Sequence, residues 1–557
     1  AWASLEEPAN RVIHLRGQKF VPGDRSKLLY PLVFCRSCGQ EYYRIDRTRD
    51  DFIERRENYA LNKTEGYQSG YLYVSEQHPW TGHEDDILSR VPEDWLEEHR
   101  ESVRVKRTVP VPEPIHVTPA GVIGDEGIAA AFIPAPFRFC LNPLCKVAHN
   151  ARQRSDIAKL ATIGTDGRST ATSVLALSTI LKLKSDPELA ERPEAQKLLS
   201  FTDNRQDASL QAGHFNDFVE VSLVRSALYR AMTRVGGKGI RYDELVHHVE
   251  AAMDLALEFY SNDPELRGAA LDETRRALRS VLSYYLYRDL ERGWRITSPN
   301  LEQCGLLSID YISIAELAAD DEFWNGPLKN TQTKASESAH RSLVMASPQQ
   351  REHVIRVLLD HLRRSLILKE DALTASYQER ISEQSRQRLC DPWTIEDSRD
   401  MVTAGIAWPR SCGKDEYRTD AFLSPQSNFG LFLRRPDVLP GPLNTEDTRT
   451  VIEDLFKRLR PWGLVEEVRS PVAGSMVCGY QLPSSVMLWK AGGGKEPAVD
   501  HLRTTQTSAA EDQTNQYFIQ LYKSFAEQGT GLEAREHTAQ VPSEIREERE
   551  QRFRAGE

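Results

Sequence analysis

The sequence predicts a multidomain chain, part α/β and part α-helical, whose first residues read as short strands leading into the first of two cysteine pairs. Three observations carry that prediction. The 557 residues correspond to about three or four domains at roughly 150 residues each. Residues 1–34 alternate apolar and polar, as in Arg11-Val-Ile-His-Leu-Arg16, or run apolar, as in Leu28-Leu-Tyr-Pro-Leu-Val-Phe34, which reads as short strands. From 241 to 400 the apolar spacing is mostly three and four, with many Leu, Arg and Glu, which reads as helix.

The elements follow in order. Residues 44–110 are highly charged, with a candidate strand over Tyr71–Val74 and a short helix near Glu93–Arg100. Residues 111–140 are rich in Pro and Gly, and 150–185 carry helical patterns. Lys197–Thr202 is a short apolar strand candidate, followed by a helix from about Ala208 through Met232 that Gly236-Gly-Lys-Gly239 ends. After an irregular, proline-bearing stretch over 401–446, a helix is expected over Asp447–Leu459 and strands over Gly463–Arg469 and Val477–Leu488. A flexible linker over 491–510 leads to a helix (Gln513–Glu527), a strand (Gly531–His537) and a charged helix (Pro542–Ala555).

Composition narrows the function. Hydrophobic residues at 40% and charged residues at 27% supply several cores and exclude wholesale disorder. No run approaches the ~18 apolar residues of a membrane span; Ser173–Leu183 comes nearest and is broken by Ser178, Thr179 and Lys182. No membrane partner is therefore expected. The N-terminus shows no basic segment followed by an apolar one, and it begins with Ala, as in a processed chain or a piece of a longer one. Lys+Arg 71 against Asp+Glu 82 gives a net charge of −11, which argues against a protein that simply coats polyanions but leaves room for a local basic groove. Eight cysteines are too few for a secreted disulfide framework, so a cytoplasmic location is expected. Cys304, Cys390, Cys412 and Cys478 stand alone and read as buried thiols.

The other four cysteines form Cys35-Arg-Ser-Cys38 and Cys140-Leu-Asn-Pro-Leu-Cys145. Both spacings let two thiolates reach one tetrahedral ion, and four soft anionic ligands suit a closed structural Zn2+ site. Gly39 suits the tight turn after a knuckle. The long interval between the pairs requires a folded insertion rather than a compact ribbon. Unmetallated thiols and a redox pair are the competing readings, and His149 is an alternate ligand or an ordinary surface histidine.

Phe201-Thr-Asp-Asn-Arg-Gln-Asp-Ala208 ends the strand candidate and opens a helix, a place where ligands gather in α/β sheets and where backbone N–H groups hold phosphate. Ordinary N-capping by Asp203 or Asn204, with Arg205 solvated, is the plainer alternative. The run Leu198-Leu-Ser-Phe-Thr-Asp-Asn-Arg-Gln-Asp-Ala208 resembles motif IV of superfamily 2 helicases, within a branch of large bacterial DEAD/DEAH-box proteins. Pro31-Leu-Val-Phe-Cys-Arg-Ser-Cys-Gly-Gln-Glu-Tyr-Tyr43, Gly167-Arg-Ser-Thr-Ala-Thr172, Arg292-Gly-Trp-Arg-Ile-Thr-Ser-Pro-Asn-Leu-Glu-Gln-Cys-Gly305 and Glu536-His-Thr-Ala-Gln540 are similar to that branch too. Some of its members serve phage-defence systems of the DISARM type.

The resemblance implies a partial RecA-like α/β domain interrupted by a large helical insertion with a winged-helix-like unit, preceded by the zinc-binding region. The implied division is 1–150 zinc-binding linker region; 151–235 helical connector and start of the second RecA-like domain; 236–400 helical insertion; 401–495 winged-helix-like unit; and 511–557 return to the RecA-like domain. It implies that Thr202, Asp203, Arg205, Gln206, His537 and Arg546 line a nucleic-acid path, with DNA as the partner. Lys457, Arg458 and Arg460 form a basic cluster on the helix of the winged unit, facing either phosphate or solvent.

No G-x-x-x-x-G-K-[ST] run and no Asp-Glu-Ala-Asp/His-like motif occurs, so the chain lacks the parts that bind ATP and Mg2+, and no catalytic residue is assigned. The expectation is an internal segment of an ATP-dependent helicase or translocase, inactive alone, whose missing segments belong to the same protein. The alternative is a non-catalytic zinc-containing module that binds nucleic acid or protein.

Overall fold

The computed structural model describes the chain apart from residues 16, 37, 57–65, 93–94, 100–101, 144, 146–147, 150–155, 157–158, 163–165, 190–191, 202–204, 292–297, 330–335, 410–420, 470–477, 497, 503–514, 530, 538–540 and 556–557. It is a mixed α/β chain with fourteen α-helices and several sheets among the described residues. No described helix is long and apolar enough to cross a membrane.

The N-terminal region is built on an eleven-stranded antiparallel sheet. Its central order is Glu113–Val117, Ile128–Pro134, Tyr67–Tyr73, Glu41–Thr48, Asp24–Cys35 and Trp2–Ser4. Successive side chains of a strand point to opposite faces, and here both faces are covered. Val33, Cys35, Tyr42, Tyr71, Tyr73, Ala131 and Ile133 bury on one side. Tyr30, Leu32, Tyr43, Ile45, Leu72, Ala130 and Phe132 bury on the other. The insertion between the cysteine pairs is thus the body of the sheet itself. The short helix expected near Glu93–Arg100 is instead a strand, Leu96–His99, paired with Ser102–Val105. A cross-strand partner here overrides local helix propensity.

Buried residues from Leu177 to Ala526 form one hydrophobic core. Into it pack the helices Asp166–Lys184, Arg205–Val235, Tyr242–Met253, Ala269–Arg288, Pro348–Arg364, Thr445–Leu459 and Gln516–Gln528. A three-stranded sheet joins distant parts: Met487–Ala491 lies between Ile240–Arg241 and Leu307–Tyr311. Thr445–Leu459 begins with a reciprocal cap, Asn444 on the Asp447 N–H and Asp447 on the Asn444 N–H, and its chain turns at Gly463 with φ 68°.

Two buried polar networks pin this core. Arg225 donates to both oxygens of Asp289, to Ser298, to the Pro299 carbonyl and to the Tyr522 hydroxyl, tying three helices and a loop together. Arg363 makes two bonds to Glu302 at 2.7 and 2.8 Å and also reaches Asp360 and Tyr311.

The two strands expected at 197–202 and 531–537 are not paired in the described residues. Leu198, Leu199 and Phe201 are 40, 65 and 89% exposed. Apolar content alone does not make a strand; a neighbour must complete the backbone hydrogen bonds. The two stretches nevertheless lie close. Asn216, on the helix that follows the first, exchanges two bonds with the backbone of Ala534 at 3.0 and 2.7 Å. The Lys197 ammonium donates to the Phe553 carbonyl and sits 4.4 Å from the Phe553 ring centre.

Candidate functional site

The four paired cysteines converge. Cys35 ends the strand Asp24–Cys35, and Leu160–Ala161 closes over it as a short antiparallel partner of Phe34–Cys35. The chain turns back at once: the Gly39 N–H donates to the Cys35 carbonyl at 2.8 Å, with Gly39 at φ 77°. That left-handed conformation is open to glycine at little cost. The Gln40 N–H points at Cys38 Sγ, 3.5 Å away. The second pair follows the strand Ile128–Pro134, with the Cys145 N–H donating to the Asn142 carbonyl.

All four Sγ atoms lie within 4.8 Å of one another. Four sulfurs about 2.3 Å from one tetrahedral ion stand about 3.8 Å apart, and Cys38 Sγ is 3.7 Å from Cys140 Sγ. A disulfide needs about 2.05 Å, so this pair is not oxidised. Cys35, Cys140 and Cys145 are buried, while Cys38 faces solvent. Burial pushes the Cys140 thiol up, and the Cys140 thiol donating to Cys145 holds Cys145 down. Held as thiolates, the four sulfurs would need a compensating cation. The donor set, spacing and enclosure fit a structural metal ion held by Cys35, Cys38, Cys140 and Cys145.

Sequence reasoning missed the residue behind the cluster. Tyr42 is fully buried; its hydroxyl lies 3.1 Å from Cys140 Sγ and accepts the Leu141 N–H at 2.9 Å. Its ring packs edge-on against Phe137 at 5.0 Å. Its place in a Glu-Tyr-Tyr run after the first pair was visible, but nothing in the spacing told Tyr42 from Tyr43. His149 is neither a ligand nor a surface residue. It packs against Phe137, and burial with the nearby Lys159 charge lowers it to about 4. Asp156 and Lys159 form a buried pair at 2.9 Å, with Asp156 also accepting from the Tyr71 hydroxyl and Lys159 donating to the Phe137 carbonyl. That pair fixes the chain returning over Cys35.

The residues assigned to a nucleic-acid path are placed unevenly. Thr202 and Asp203 lie outside the described residues. Arg205 and Gln206 open the helix Arg205–Val235, and their side chains lie outside the description. His537 Nε2 is 3.0 Å from Glu550 Oε1. Arg546 is half-buried on the helix Ser543–Ala555, and its Nε has no hydrogen-bond partner. Glu550, four residues on from Arg546, meets His537 and Arg554.

In the basic cluster at the end of Thr445–Leu459, Lys457 and Arg460 keep exposed side chains, whereas Arg458 is turned inward. Arg458 is 2% exposed and donates to the Phe323 and Gly326 carbonyls, while Arg460 pairs with Glu467 at 2.7 Å. Arg434 and Arg435 likewise donate to backbone carbonyls, of Pro425 and His501. Of the lone cysteines, Cys304 is buried, Cys390 and Cys478 are only half-buried, and Cys412 lies outside the described residues. No protein-family model, curated protein or solved structure matches the chain.

Proposed function

We propose that this chain is the zinc-bearing, non-hydrolytic part of an ATP-dependent DNA helicase or translocase of the superfamily 2 type. The observation that carries the reading is the run 201–208, whose last residues open the helix Arg205–Val235, together with the 531–555 segment held to that helix through Asn216 and Ala534. These are the two stretches that the resemblance assigns to one RecA-like layer. The exposed Leu198, Leu199 and Phe201 are what a sheet strand presents when its neighbours are not against it. The helix Thr445–Leu459 followed by the antiparallel pair Glu466–Arg469 and Gly479–Pro483 supports a winged-helix-like unit.

Zn2+ is the ion assigned to the four cysteines, because a closed all-thiolate site suits a borderline-soft ion without redox chemistry. Its contribution there is to neutralise the thiolates and bind two distant knuckles. Cys35 and Cys140 do the rest by joining opposite ends of the insertion, and Tyr42 orients Cys140. ATP and Mg2+ belong to the complete protein only.

The purified chain is expected to carry one zinc by elemental analysis, to hydrolyse no ATP, and to bind labelled DNA with an affinity that falls steeply with salt. ATP turnover by this chain, or reactive Cys35 and Cys38 thiols without bound zinc, would refute the reading. A non-catalytic module binding nucleic acid or protein is the second reading, favoured by the missing phosphate-binding motif. The flanking reading frame separates the two: a P-loop upstream and a Q-x-x-G-R-x-G-R motif downstream are expected only of the helicase.

A further inference from the structure

A groove of about 690 Å³ opens between the helices Tyr242–Met253, Ala269–Arg288 and Ala375–Arg388. Four arginines line it: Arg276 and Arg279 from one wall, Arg380 and Arg388 from another. The helical period brings them there, since Arg276 and Arg279 are three apart and Arg380, Gln384 and Arg388 stand at steps of four.

The charges in the groove do not cancel. Arg279 is held by Glu250 at 2.5 Å and Arg388 by Glu273 at 2.5 Å. Asp243, the other carboxylate in the lining, lies 3.9 Å from Arg241. Among the described residues Arg276 meets only the Asp272 carbonyl of its own helix, at 3.3 Å, and Arg380 lies 4.8 Å from the centre of the Tyr377 ring. Both are exposed, and neither meets a carboxylate among the described residues. Two uncompensated guanidiniums therefore face one groove from opposite walls, in a chain whose net charge is −11. Elsewhere the buried arginines are consumed by carbonyls and carboxylates, as Arg225, Arg363 and Arg458 show.

We propose that this groove binds the phosphate backbone of a nucleic-acid strand, with Arg276 and Arg380 each engaging one phosphate. The proposal rests on the nucleic-acid reading above and assigns it a surface. A guanidinium presents a planar fork of donors that matches phosphate oxygens. Gln384, on the same wall as Arg380, adds a neutral donor.

The test is fluorescence anisotropy of the whole chain with a labelled single-stranded oligothymidylate, over a range of salt. Each phosphate contact contributes about 0.7 to the slope of log affinity against log salt for a single strand. Arg276→Ala combined with Arg380→Ala should lower that slope by about 1.4, and affinity roughly twentyfold at about 0.1 M salt. Arg399→Ala is the control, because Arg399 is exposed and pairs within its own turn with Asp397; its binding should equal wild type. Melting temperature and zinc content should be unchanged in the double variant.

Wild-type affinity and slope in the double variant would overturn the groove assignment while leaving the nucleic-acid reading intact. No binding by the wild-type chain at low salt would overturn both. Displacement of the labelled oligonucleotide by polyglutamate at a lower charge concentration than by unlabelled oligothymidylate would show an acidic protein partner and overturn the proposal.

Discussion

Replacing Glu302 by glutamine should destabilise the helical core by about 3 kcal/mol near neutral pH, and most of that difference should vanish in acid. Burial pushes the Glu302 carboxyl up, but Arg363 and Arg364 more than offset it and hold the group at about 2, against an ordinary 4.5. At about 1.4 kcal/mol per unit, that displacement corresponds to about 3 kcal/mol of pH-dependent stability. Because the folded value lies below the unfolded one, the contribution is complete above about pH 4.5 and is lost as pH falls toward about 2.

The assay is urea unfolding followed by tryptophan fluorescence, comparing wild type with Glu302→Gln at about pH 7 and about pH 3. Trp324, Trp393 and Trp489 are all buried in this core and report on it. Arg363→Met should be at least as damaging near neutral pH, about 3–5 kcal/mol, because it leaves a buried carboxylate without its main partner. A gap between wild type and Glu302→Gln that is the same at both pH values would refute the electrostatic account.

Tyr42→Phe removes the hydroxyl beside Cys140 Sγ and strands the buried Leu141 N–H. Metal affinity should fall about 10- to 100-fold in competition with a chelating dye, and an unchanged affinity would show that the hydroxyl does not support the site. Arg225→Met should lower stability by about 3–5 kcal/mol, because Asp289 loses its partner in a mostly buried setting. Adding Asp289→Leu should recover part of that loss in thermal melts; no recovery would place the damage in packing rather than charge.

The cysteine set was legible because metal ligation imposes short local spacings that survive any topology. The helix over 447–459 was legible for a similar reason, since its cap and its stop lie within a few residues of its ends. The large sheet was not. Strands such as Glu41–Thr48 and Tyr67–Tyr73 are buried on both faces, so their sequences lack the alternation that marks a one-sided strand. Arg458 read as facing phosphate or solvent because the carbonyls that hold it come from Phe323 and Gly326, far away in sequence. The groove arginines were written in the helical period of 276–279 and 380–388, but which of them lacked a carboxylate depended on Glu250 and Glu273, which only packing could assign.

The two cysteine knuckles bracket most of a sheet, and that has a consequence for biosynthesis. Translation at about 5–20 residues per second leaves Cys35 and Cys38 waiting roughly 5–20 seconds before Cys140 is made. During that interval only the first two of the four ligands have been made. The full ligand set assembles once the intervening strands have registered side by side, so capture of an ion there would report that the sheet has closed correctly.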